Sequence, residues 1–355
     1  MSNLYAAFFN KIKDETKKLI VTPTLSYSAN DIENYTIKIA NILYRLGLQP
    51  GDRLAAQIEK SEYNLFLYLA CLRTGIIYLP LNNSYTDEEL RYFFTDATPK
   101  LIVCEPKREI NILALRATQD CLIATLDENG YGSLLKENNV KSEEIKSIFS
   151  SQPDDIAVIL YTSGTTGKPK GAMITHGNLL NNAFDLITVW GITHKDNILH
   201  MLPLFHVHGL FFAFHTAMLT GATITLLPKF DPDLFFNYLP QITVFMGVPT
   251  YYMRLLKDKR LTSDACHHMR IFISGSAPLL PATFEEFKTK TRHALLERYG
   301  MTESGINTSN PLHGKRKVST VGLPLPGVSV RIVNDENKKL PIDEVGHIQL
   351  KGNNI

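Results

Sequence analysis

The chain has 355 residues, 44% apolar and 20% charged, and its 37 basic and 35 acidic side chains leave a net charge of only +2. That length asks for more than one subdomain, and balanced charge without a basic run excludes a phosphate-tracking nucleic-acid surface. The four cysteines, Cys71, Cys104, Cys121 and Cys266, stand too far apart for a CxxC motif and sit among apolar neighbours, so they read as small core residues of a reducing, cytoplasmic compartment.

The N-terminal segment has apolar residues at helical spacing and mixed charge but no uninterrupted apolar stretch, so it is neither a signal nor a transit peptide. Ile32, Tyr35, Ile39, Ile42 and Leu46 then recur at helical steps, with Asp31 near the start and Gly47 as the stop. A Pro50-Gly51-Asp52 turn leads into a strand over 54–58, a helix over 63–73 and a strand over 101–104. Alternation of this kind predicts βαβ units and a mostly parallel buried sheet. Residues 128–151 are polar and predict a surface excursion, after which 156–161 resumes as a strand. Residues 198–228 carry no Asp, Glu, Lys or Arg, long enough for a membrane helix. Pro203, His200, His206, His208, His215 and the Gly221 turn instead predict buried strand, loop, helix and strand. Near the end, 328–333 and 347–350 alternate like strands, joined across 334–337 as a β-hairpin.

The segment 161–171, Tyr-Thr-Ser-Gly-Thr-Thr-Gly-Lys-Pro-Lys-Gly, carries most of the chemistry. Gly164, Gly167 and Gly171 let the backbone approach a ligand closely. The hydroxyls of Thr162, Ser163, Thr165 and Thr166 add donors, and Lys168 and Lys170 add positive charge, a combination suited to a polyphosphate. It is not a Walker A loop, because Thr162 stands where that motif needs glycine and Pro169 where it needs Ser or Thr. His206 and His208 lack further ligands nearby for a zinc site.

Together with 274–278 (Ser-Gly-Ser-Ala-Pro), 298–303 (Arg-Tyr-Gly-Met-Thr-Glu) and 321–324 (Val-Gly-Leu-Pro), in that order, this segment resembles the signatures of the adenylate-forming superfamily, which includes acyl-CoA synthetases, luciferases and adenylation domains. The resemblance implies an α/β fold, the large N-terminal domain of such enzymes, with mostly parallel sheets flanked by helices. Residues 1–315 would form its core in two α/β subdomains, and 316–355 the start of an incomplete β-rich subdomain. It also implies a two-step acid–thiol ligase using ATP, Mg2+ and coenzyme A, acting on small molecules with no membrane or nucleic-acid partner, its oligomeric state left open.

The resemblance assigns residues 162–168 and Lys170 to the phosphates, and Ser276, Ala277, Pro278, Glu297, Tyr299, Gly300, Met301 and Thr302 to the rest of the nucleotide. An aromatic ring such as that of Tyr299 can stack on a purine. Glu303 would hold the hard cation, which prefers oxygen ligands. His206, Thr302 and Glu303 are the catalytic candidates, and His206, Ser274 and Arg298 the acid-binding ones. Arg298 stands where many relatives have glycine, and a buried guanidinium calls for a carboxylate partner. With the flanking segments it resembles the malonyl-CoA synthetases and points to a dicarboxylic substrate. The alternatives are a medium-chain fatty acid and a non-catalytic nucleotide-binding remnant. The chain ends as 346–352 begins the next signature, before the aspartate and the small C-terminal domain with its lysine that the superfamily uses, so the expectation is little turnover from this chain alone.

Overall fold

In the computed structural model, which describes residues 3–10, 12, 16–116, 120–136, 147–162 and 167–355, two large sheets carry the chain. The first has six strands in the order Leu122–Thr125, Leu101–Cys104, Arg53–Gln57, Ile77–Pro80, Ile156–Thr162 and Lys170–Thr175, parallel except for the last pair. The second has nine. Its centre is a parallel set, Leu296–Met301, Ile271–Ser274, Val244–Gly247, Asn197–His200, Thr223–Leu226 and Lys18–Val21, with short antiparallel strands at both edges. Strands Leu101–Cys104, Val244–Gly247 and Ile271–Ser274 are buried along their whole length, as parallel strands covered on both faces must be.

The helices form where local chemistry closes their ends. Helix Ala29–Arg45 begins three residues before the first periodic apolar position. There Ser28 Oγ accepts the Asp31 amide at 3.2 Å while Asp31 Oδ2 accepts the Ser28 amide at 2.8 Å, a reciprocal cap. Helix Glu62–Thr74 is buried from Asn64 onward and ends on Gly75 in the left-handed region. Leu4–Phe9 wedges between elements of both sheets: the Leu4 amide donates to His176 Nδ1 at 3.2 Å, and Asn3 Nδ2 to Leu72 O at 3.0 Å.

The charge-free stretch is strand Asn197–His200, a loop, a helix and strand Thr223–Leu226. The helix opens with a π-turn, His208–Ala213, and continues as Phe214–Thr220. Several of its polar groups are paired within it, among them His200 Nε2 with Gly209 O at 2.9 Å and Thr216 Oγ1 with Phe212 O at 2.6 Å. Among the described residues no helix is long and apolar enough to cross a membrane.

Two expectations change. The 128–151 stretch is more than a surface excursion: Ser133–Lys136 is helical with Leu134 buried, and the Phe149 amide donates to Arg73 O at 2.9 Å, while 137–146 lie outside the described residues. Strands Val328–Val333 and His347–Gly352 do pair antiparallel, but the turn at 334–337 closes on Lys339, which bridges Val333, and seven more residues intervene before His347. The four cysteines are free thiols in the core.

Among the described residues four histidines are 1% exposed or less, His176, His200, His208 and His215. Burial pulls the His176 ring down to about 4, and those of His200 and His215 to about 3. Below pH 6.5 the unfolded chain takes up protons that the folded one refuses, so stability falls as pH drops from 6.5 toward 4 and is independent of these groups above 6.5. At pH 5 each is expected to cost about 2 kcal/mol. Urea titrations at pH 7.5 and pH 5 check this, and His215→Phe should flatten the slope.

Candidate active site

The parallel strands Val244–Gly247, Ile271–Ser274 and Leu296–Met301 lie side by side, with Gly247 opposite Ser274 and Ser274 opposite Glu297. Their carboxyl ends open into a cavity of about 610 Å3, the edge at which open α/β sheets receive ligands. Ser274, Ser276, Ala277 and Pro278 line it from one strand end, and Glu297, Arg298, Tyr299 and Gly300 from the next. Eight of the sequence-derived site residues thus share one cavity of a size that suits a nucleotide. Ser276 and Ser319, also in its wall, hold φ at 66° and 59°, a left-handed conformation that non-glycine side chains adopt at a cost and that clusters at binding sites. Gly300 is required by the fold: a Cβ there would overlap Gly305 O where the strand turns back on itself.

Arg298 is 5% exposed and, among the described residues, has no carboxylate within ion-pair reach. Burial lowers its pKa to about 9, so it stays a cation at neutral pH. Its guanidinium carbon sits 5.3 Å from the Phe212 ring centroid, and Nη2 donates to Ser276 Oγ at 3.3 Å. A Cβ on Gly275 would overlap the guanidinium, so glycine there leaves the space it fills. Ser276 Oγ also lies 3.3 Å from His208 Nδ1. A serine hydroxyl has one proton and two lone pairs, so it can meet either tautomer of the neutral His208 ring while accepting from arginine. Burial, with the charge of Arg298 second, holds His208 well below the usual histidine range. Arg298 Nε, His208 Nε2 and Ser274 Oγ are buried without partners. Arg298 Nε and the Ser274 hydroxyl each carry a proton, and a guanidinium has no acceptor of its own, so the site calls for an anionic acceptor.

His206 is exposed at the start of this helical segment, and its Nδ1 accepts the His208 amide at 3.3 Å. Although one edge of the ring reaches solvent, the protein packed around the rest, and then the Arg298 charge, lower its pKa, leaving a neutral ring that presents Nε2–H. His208, absent from the sequence-derived site residues, is brought by the fold to within 3.3 Å of Ser276 Oγ. The spacing of two from His206 was the available signal.

In the segment expected to hold the phosphates, Thr162 and Lys170 form the last described rung between the antiparallel strands Ile156–Thr162 and Lys170–Thr175. Ser163, Gly164, Thr165 and Thr166 lie outside the described residues. Gly167 and Lys168 are exposed, with Gly167 at φ +90°. Thr162 Oγ1 donates to Glu303 Oε1 at 3.2 Å across 141 residues, joining the phosphate segment to the predicted metal carboxylate. Met301 is exposed. Thr302 is half-buried and faces a second, small cavity with Phe211, Phe212 and His215. The turn that carries 302–304 is fixed by Asn182, which accepts the Ile306 amide at 3.1 Å and donates to Ile306 O at 2.7 Å. Among the described residues no cluster of three or more His, Cys, Asp or Glu could hold a metal by itself. One carboxylate and one hydroxyl fit Mg2+ only as an ion held partly by substrate phosphates, its usual mode.

A family model described as AMP-binding enzyme matches residues 13–355. The chain belongs to the AMP-binding enzyme family. Within that family it is 37% identical over 292 residues to the mitochondrial malonate–CoA ligase ACSF3 of Xenopus laevis, covering 78% of this chain and 50% of that one. To the malonate–CoA ligase of Arabidopsis thaliana it is 33% identical over 321 residues, covering 84% and 53%. The crystal structure of ATP-bound MatB from Rhodopseudomonas palustris superposes with a TM-score of 0.96 at 46% identity, covering 100% of this chain and 71% of that one. The chain spans about half the length of the curated relatives it matches. The mixed α/β fold with helix-flanked parallel sheets is that of the N-terminal domain of adenylate-forming enzymes.

Proposed function

We propose that this family member is an ATP-dependent acid–CoA ligase whose acid is malonate. The observation that carries the reading is the buried guanidinium of Arg298, its Nε unpartnered, with Ser274 Oγ likewise unpartnered, both residues in the wall of the 610 Å3 cavity. A carboxylate is acceptor-only and charged, and it pairs best with a guanidinium. One carboxylate of a short diacid meets Arg298, which leaves the other to attack the ATP α-phosphate. The P–O bond to pyrophosphate breaks and a mixed anhydride forms. In the second step the thiol sulfur of coenzyme A attacks the acyl carbon and AMP leaves. The names of the relatives support malonate.

In this account His206 offers Nε2–H to the reacting carboxylate, and Tyr299 with residues 276–278 holds the adenine. Glu297 sits where burial pushes its carboxyl up, against the backbone amides of Ser319 and Leu279 that favour the charge. Thr162, Lys168, Lys170 and the rest of the 162–170 segment, with Thr302, hold the phosphates. Glu303 would hold Mg2+, which supplies charge neutralisation on the phosphates. Orientation and neutralisation of developing charge are what such a transfer needs. The four buried thiols support a reducing, cytoplasmic setting.

A medium-chain acid is disfavoured, because the space beyond Phe212 is only about 10 Å3, room for about one water. The test is pyrophosphate release from ATP and Mg2+ with malonate, acetate or octanoate. Slow release that depends on malonate is expected from this chain alone. Release with octanoate alone would overturn the acid assignment, and ATP binding without release under any acid would favour a non-catalytic nucleotide-binding role.

A further inference from the structure

Resting on the malonate reading above, we propose that Phe212 is the specificity-determining residue of the acid site: its ring supports the Arg298 guanidinium and walls the site off from the small cavity behind. Phe212 takes part in both surroundings. The Arg298 guanidinium carbon lies 5.3 Å from its ring centroid, and the His208 ring centroid lies 6.1 Å from it. The same side chain lines the 10 Å3 cavity together with Phe211, His215, Leu186 and Thr302. It stands in a π-turn, a local widening of the helix that recurs at functional sites.

The cavity is closed from behind. His215 is fully buried, its Nε2 lies 2.8 Å from Tyr68 Oη, and Phe211 stacks on its ring at 5.2 Å. Nothing there accepts a charge, since burial keeps His215 neutral and the remaining walls are mainly apolar. A chain that passed Phe212 would therefore meet apolar surface, and one that stops short of it meets Arg298. The cation rests on an aromatic face, an attraction that strengthens when both groups are out of water. Loss of the ring at 212 thus does two things: it frees the guanidinium to swing, and it joins the rear cavity to the acid site. Loss of the ring at 211 enlarges the rear cavity and leaves Arg298 supported.

Titration of the whole chain with non-hydrolysable malonyl- and hexanoyl-adenylate analogues tests this, with thermal melts to verify folding. Phe212→Ala is expected to weaken the malonyl analogue at least tenfold and strengthen the hexanoyl analogue at least tenfold. Phe212→Leu, which keeps the apolar fill, should weaken the malonyl analogue with little gain for hexanoyl, and it carries the test if the alanine variant does not fold. Phe211→Ala should leave malonyl affinity within threefold. Equal weakening of both analogues, no change in either, or the same malonyl loss in Phe211→Ala as in Phe212→Ala would overturn the proposal. Failure of the unaltered chain to prefer the malonyl analogue would overturn the malonate reading itself, a result distinct from failure of the Phe212 variants.

Discussion

Arg298→Met is expected to weaken a malonyl-adenylate analogue by about 30- to 5,000-fold while leaving the ligand-free chain as stable as before or more so. Removing one partner of a buried, hydrogen-bonded charge pair costs about 2 to 5 kcal/mol of binding, which is that fold range. The opposite sign for the free protein follows from what surrounds the guanidinium. It is buried with one hydrogen bond, to Ser276 Oγ, and an aromatic face, and Nε has no partner. A desolvated charge with so little compensation destabilises the fold, and an apolar side chain of similar length relieves it. Calorimetric titration and a thermal melt of the same variant separate the two effects. A lower melting temperature with unchanged affinity would make Arg298 a structural residue.

Asp196→Ala is expected to give the largest loss of stability from one substitution, about 3 to 5 kcal/mol, against a total that is about 5 to 15 kcal/mol for ordinary domains. Asp196 is 4% exposed. Its two oxygens accept Arg270 Nε at 2.9 Å and Nη2 at 3.0 Å, Thr243 Oγ1 at 2.8 Å and the Thr193 amide at 2.8 Å. Burial alone would raise its carboxyl pKa, but the arginine and the hydrogen bonds outweigh it and hold the pKa below the usual carboxylate range. The stabilisation is therefore complete above about pH 4 and is lost as pH falls through the folded value. Arg270 also donates to Trp190 O at 2.8 Å, so the variant leaves a cation with one neutral partner at the base of the second sheet. Urea denaturation at pH 7 measures the loss, and Asp196→Asn should recover only part of it.

Local chemistry explains what was legible from sequence. Strand Leu101–Cys104 was bounded to the residue because a short apolar run between polar neighbours has one way to be buried. Helix Ala29–Arg45 was legible from its apolar spacing with Asp31 near the start, and that same Asp31 closes the reciprocal cap with Ser28. Residues 274–278 and 297–300 could be assigned to one site because their order along the chain matches a known set of signatures, and strand pairing then puts Ser274 beside Glu297. What sequence could not reach depends on topology. The Thr162–Glu303 hydrogen bond spans 141 residues, and nothing local to either residue announces the other. Phe212 reads as one more apolar residue in a buried helix until the fold sets Arg298 against it. His208 is buried as a core residue would be, and only the fold brings its Nδ1 within 3.3 Å of the Ser276 hydroxyl.

The most direct measurement is the ratio of dissociation constants for malonyl- and butanoyl-adenylate analogues, which match in length and differ chiefly in the far carboxylate. Donors that are buried and unpaired without their acceptor discriminate strongly against a ligand that lacks it. The malonyl analogue is expected to bind at least about 30-fold more tightly, equivalent to about 2 kcal/mol. Equal affinities would mean that Arg298 and Ser274 do not meet a carboxylate, and would contradict the assignment of the acid.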